Sequence, residues 1–128
     1  MPPDSVDNLV IDGDTDVSGI TAIIQECGLS PHGADHFALG IVREYVGHGC
    51  GIRLHEPPDV PNFAQHRKGP KLVPGMVLCV EPMLNLGSHK VYTESDGWTV
   101  RTRDGEPSAH FEHMILITEN GTEVLTRV

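Results

Sequence analysis

Positive charge is scarce in this chain. Nine Lys and Arg stand against 18 Asp and Glu in 128 residues, giving a formal net charge of −9. A surface this acidic repels phosphate, which argues against a nucleic-acid or anionic-membrane partner and suits carboxylates gathered around a cation. Long apolar runs are missing as well. The longest, Met76 to Val80, falls far short of the roughly 20 residues that a bilayer-spanning helix needs. The opening residues, Met-Pro-Pro-Asp-Ser-Val-Asp, carry no apolar core of a secretory signal. Cysteine is sparse and odd in number: Cys27, Cys50 and Cys79 lack the paired spacing of a zinc cluster or a disulfide framework, so reduced thiols are expected. There are no repeats and no low-complexity tract. The expectation is a cytoplasmic protein without nucleic-acid or membrane contacts.

What the chain does contain is turn chemistry. Fourteen Gly and 10 Pro, with 38% hydrophobic residues, are too many breakers for a helical bundle and favour short strands and turns. The length fits one domain, divided here into a polar N-terminal segment, residues 1–15, and a domain over 16–128. Asp16 or Ser18 caps a predicted helix carrying Ile20, Ile23, Ile24 and Cys27 at helical spacing, and Gly28 stops it. Gly40 to Val46, rich in β-branched residues, reads as a strand. Glu56-Pro57-Pro58-Asp59-Val60-Pro61 can be neither helix interior nor central strand, because its prolines remove backbone donors. Pro74-Gly75 reads as a turn into a buried strand over Met76 to Val80. Val91 to Thr93 and Trp98 to Val100 flank Asp96-Gly97 as a hairpin. Phe111 to Ile117 reads as a strand that turns at Asn120-Gly121 into another. The fold class expected is α+β, an antiparallel sheet with few helices.

Two features carry chemistry. In Gly47-His48-Gly49-Cys50-Gly51-Ile52-Arg53-Leu54-His55-Glu56, alternating glycines let the backbone approach something that a Cβ would obstruct. Strand parity places His48 and His55 on opposite faces, so the two imidazoles share a site only if a bend or bulge intervenes. Glu81 and Glu112 each interrupt an apolar strand with no Lys or Arg beside them in sequence. An unpaired carboxylate there costs several kcal/mol. A bound cation would answer both, with His48 as a nitrogen ligand. A solvated sheet face would answer them equally well.

The segment Ile41-Val42-Arg43-Glu44-Tyr45-Val46-Gly47-His48-Gly49-Cys50-Gly51-Ile52-Arg53-Leu54-His55-Glu56 resembles the central segment of type I methionine aminopeptidases. Pro58-Asp59-Val60-Pro61-Asn62-Phe63, Val73-Pro74-Gly75-Met76, Val80-Glu81-Pro82-Met83, Asp96-Gly97-Trp98-Thr99 and Ser108-Ala109-His110-Phe111-Glu112-His113 follow in that family's order and at similar spacing. The resemblance implies the C-terminal half of a pita-bread fold and removal of N-terminal methionine from nascent peptides. It makes His48, Glu81 and Glu112 metal ligands. His55 becomes the catalytic histidine that contacts the scissile peptide and steadies the oxyanion, and Trp98 a wall of the methionine pocket. The cofactor implied is a divalent ion, Mn, Fe, Co or Zn.

The chain also departs from that pattern. The family has two metals and two further ligands, aspartates on upstream strands separated by a hairpin. Asp12 and Asp14 echo those motifs but stand only two residues apart, so at most one metal is expected here, with low or no activity alone. Cys27 to Gly40 reads as an insertion. Leu54 stands where the family has an aromatic, and Met114 where it has Thr. The missing half is expected to leave an apolar face of Val77, Cys79, Ile115 and Ile117, covered by a complementary N-terminal half or by a second copy. The alternative is a non-catalytic module that binds a metal or a partner.

Overall fold

The computed structural model describes residues 39–63, 65 and 67–127. The predicted helix with its caps, Asp12, Asp14 and nearly all of the Cys27 to Gly40 insertion lie outside them. The described residues form ten short strands and no helix. They are β1 (Gly40–Ile41), β2 (Gly47–Gly49), β3 (Glu56–Val60), β4 (Val77–Val80), β5 (Met83–Asn85), β6 (Val91–Thr93), β7 (Val100–Thr102), β8 (Ser108–His110), β9 (His113–Thr118) and β10 (Gly121–Val124).

A five-stranded sheet of order β10-β9-β4-β2-β3 carries the core, beside a three-stranded sheet β1-β5-β8 and the hairpin β6-β7. Every pairing is antiparallel. The proline-rich segment Glu56–Val60 is indeed the edge strand β3, where a missing donor leaves no ladder bond broken. The stretch from Gly40 to Val46 is not one strand. Gly40–Ile41 pairs with β5 in one sheet, and Gly47–Gly49 pairs with β3 and β4 in the other. The residues between them carry the chain across. Strand propensity reports a good fit to a pleated surface but not which sheet supplies it. The hairpin forms around Asp96-Gly97 as expected, though its second strand starts at Val100 rather than Trp98.

Register divides the central sheet into two faces. Leu78 pairs with Ile115, and these two join Val60, Leu72, Val80 and Ile117 in the buried core. Cys79 pairs with His48 on one side and Met114 on the other, one residue out of phase with that core. The expected apolar face of Val77, Cys79, Ile115 and Ile117 therefore does not exist. Ile115 and Ile117 are covered by the chain's own core, while Val77 and Cys79 face the opposite way because side chains alternate along a strand. No helix among the described residues is long and apolar enough to cross a membrane.

Candidate metal centre

The glycines around His48 do what alternating glycines allow. A Cβ on Gly47 would strike the Cys79 carbonyl, and one on Gly49 would strike the Pro57 carbonyl. Without them, β2 could not lie between β3 and β4. His48, in the middle of that strand, is buried at 8% exposure. Its Nδ1 lies 2.8 Å from the Gly49 carbonyl oxygen. A carbonyl only accepts, so Nδ1 carries the proton and the ring is locked in place. Its Nε2 then faces Glu81 Oε1 at 3.0 Å.

Glu81 and Glu112 sit one step beyond the ends of β4 and β9 rather than within them. The parity of β4 carries Glu81 to the face of Cys79 and His48. That of β9 directs Glu112 the same way, since Met114 pairs with Cys79. His48, Cys79 and Glu112 offer donor atoms that all lie within 4.8 Å of one another. The structure thus brings His48 to both glutamates. It also answers Glu81 in a way the sequence did not announce. His110 on β8 places Nε2 3.2 Å from Glu81 Oε2, so the carboxylate stands between two imidazoles. The only signal was the presence of His110 in the Ser108 to His113 segment, with no parity argument to aim it.

His55 joins the site. A register shift between His48 and Gly49, followed by the irregular segment 51–55, turns the chain back on itself. The His48 and His55 ring centroids end 4.0 Å apart, tilted by 46°. His55 is exposed, with its ring against that of His48. Trp98 does not join them: it stands at the tip of the β6-β7 hairpin, 87% exposed. Burial pushes the Cys79 thiol up to about 12, and the hydrogen-bonded Glu112 carboxylate beside it adds to the effect.

The donor set fits a divalent cation. Imidazole nitrogen, carboxylate oxygen and sulfur are the ligands of transition-metal sites. With metal–ligand bonds of about 2.0 to 2.3 Å, donors on one ion stand roughly 3 to 4 Å apart, so the cluster needs to close only by about an ångström.

Residues 16–119 match the model of metallopeptidase family M24. The chain is 59% identical over 90 residues to methionine aminopeptidase 1 of Bacillus subtilis, an alignment covering 70% of this chain and 36% of that protein. It is 54% identical over 90 residues to the methionine aminopeptidase of Clostridium perfringens, again with 70% and 36% covered. Among solved structures, the methionine aminopeptidase of Thermotoga maritima superposes with a TM-score of 0.81 at 42% identity, over 92% of this chain and 45% of that one. The chain therefore spans about a third of the length of the curated relatives it matches. Its antiparallel sheets correspond to half of a pita-bread fold.

Proposed function

The chain belongs to metallopeptidase family M24, and from that premise we propose that it holds a divalent cation between His48, Glu81 and Glu112 and serves the removal of N-terminal methionine from peptides in the cytoplasm. The observation that carries the reading is the His48–Glu81 contact. With Nδ1 committed as a donor to a carbonyl, Nε2 is the nitrogen left to face a carboxylate 3.0 Å away. Two acceptors at that distance need a proton or a metal ion between them.

A divalent cation here supplies Lewis acidity toward the peptide carbonyl and toward water. The chain's own residues supply the rest. Glu112, exposed beside the donors, accepts the proton that the attacking water gives up. His55 turns a ring N–H toward the carbonyl oxygen and stabilises the charge that develops there, without binding the cation itself. Trp98 lines the pocket for the methionine side chain once the hairpin is covered. The two aspartates that complete the family's dinuclear site come from a complementary half.

Metal content and turnover test this together. The chain reconstituted with Mn, Fe, Co or Zn is expected to retain one cation, and to hydrolyse a Met-initiated peptide only when an aspartate-bearing half is supplied. Failure to take up any of the four would sink the proposal. Ile52, Leu54 and Phe111 at 102%, 68% and 78% exposure favour a second reading, a partner-binding module that keeps one cation without catalysis. Retained cation with no turnover under any complementation would select that reading.

A further inference from the structure

We propose that Cys79 is itself a metal ligand, so that the cation is held by an imidazole nitrogen, a thiolate sulfur and carboxylate oxygens rather than by nitrogen and oxygen alone. The inference rests on the reading of His48 and Glu112 as ligands and adds a third kind of donor. Its chemistry changes which metal the chain selects. Thiolate favours zinc and other borderline-soft ions over manganese, which prefers oxygen.

A buried cysteine is most often a small apolar filler, and Cys79 is fully buried. Its position in the sheet argues otherwise. The apolar packing of β4 is made by Leu78 and Val80, on the face that Ile115 and Ile117 share. Cys79 points to the other face, in direct register with His48. The neighbours of its Sγ there are the imidazole of His48 and the carboxylate of Glu112, with one donor atom from each of the three within 4.8 Å of the others. Glu81 follows two positions on, one step past the end of β4, and reaches His48 at 3.0 Å. Sulfur thus stands among the donors, not behind them.

Binding converts the thiol to a thiolate, and its proton passes to solvent as the metal–sulfur bond forms; a coordinating divalent cation deprotonates a thiol outright. No oxidation is involved. The sequence could not show this, because Cys27, Cys50 and Cys79 have no metal-type spacing. The sulfur reaches the site through strand register alone.

Cobalt(II) reads sulfur ligation directly. The full chain, freed of metal and titrated with cobalt alone, is expected to show visible d–d bands together with a near-ultraviolet thiolate-to-cobalt charge-transfer band. Cys79→Ser should lose the charge-transfer band while keeping d–d bands. Cys50→Ser, which alters the neighbouring thiol, should keep both. If cobalt binds with d–d bands and no charge-transfer band, Cys79 is not a ligand, though the metal reading survives. A band lost in Cys50→Ser and kept in Cys79→Ser overturns the assignment in favour of the other thiol. Absence of any cobalt uptake removes the metal reading and this inference with it. Should Cys79→Ser fail to fold, X-ray absorption on the zinc-loaded natural chain and on Cys50→Ser decides. A sulfur at about 2.3 Å from zinc in both supports Cys79, and a shell of nitrogen and oxygen alone in either excludes it.

Discussion

His48 Nε2 and Glu81 Oε1 meet at 3.0 Å with no hydrogen assigned to either by the backbone, because the ring's other nitrogen is already the donor to Gly49. Glu81→Gln tests what fills that gap. The amide can donate to Nε2, so the metal-free variant should fold as stably as the natural chain or more so, while its affinity for a cation collapses. Thermal unfolding with and without saturating zinc separates the two effects. The natural chain gains about 2.7 kcal/mol when zinc stands at 100 times its dissociation constant, whereas the variant at the same concentration should gain nothing. An equal upward shift in both would mean that Glu81 is no ligand.

Much of this site could be read in the sequence, and what could not has a physical cause. Glu81 and Glu112 stood out because carboxylates beside apolar strands need partners, and the structure turns both toward His48. The condition attached to His55 was also met. Parity forbade a shared site without a bend, and the register shift after His48 provides one. Cys79 and His110 escaped notice because each reaches the site across strands, through pairings that no local pattern encodes. The same limit cut the expected Gly40 to Val46 strand back to Gly40–Ile41, with the next strand starting at Gly47 in another sheet, and removed the expected apolar face. Alternation was legible, but which face meets the core depends on partners far along the chain.

His110 is expected to act through Glu81. Its Nε2 lies 3.2 Å from the carboxylate oxygen that does not face His48, the place of an outer partner that fixes a ligand's orientation. Removing such a partner typically costs ten- to a hundredfold in metal affinity. Competition titration against a chromophoric chelator should show about that loss for His110→Ala, and partial recovery for His110→Gln, whose amide can still donate. Unchanged affinity in the alanine variant would make the contact incidental.

The hairpin predicts an acid-side effect remote from the metal. Asp96 accepts hydrogen bonds from the Thr99 hydroxyl at 2.6 Å and from the Trp98 and Thr99 backbone N–H groups at 2.9 Å each. These bonds, the hydroxyl first, hold its carboxyl below the ordinary value of 3.8. A carboxylate depressed by folding contributes stability that is complete above its unfolded value and is lost as pH falls through the folded one. The midpoint of the change in the hairpin amide shifts followed by NMR should therefore fall below 3.8. In Asp96→Ala that acid-side transition of the Trp98 and Thr99 amides should be missing. If it persists there, another group is titrating.

The last expectation concerns turnover, where the fold and the site impose different requirements. His48, Glu81 and Glu112 can hold one cation, but the proposed chemistry needs the aspartates of a complementary half. The chain flanking His55 and Glu112 also remains open at Ile52, Leu54 and Phe111. Water there is not excluded, and a developing oxyanion in open solvent gains little from a single imidazole. The chain alone should thus bind metal and hydrolyse a Met-initiated peptide no faster than free metal does. With an aspartate-bearing half added, turnover should appear, and His55→Ala should lower kcat by about 10² to 10³, the usual effect of removing one oxyanion donor. Because His55 is exposed, that substitution should change stability by no more than about 0.5 kcal/mol and leave metal content intact. Loss of metal in His55→Ala would make it a ligand instead. Turnover by the unaided chain well above that of free metal would show that three protein ligands suffice and that no second half is required.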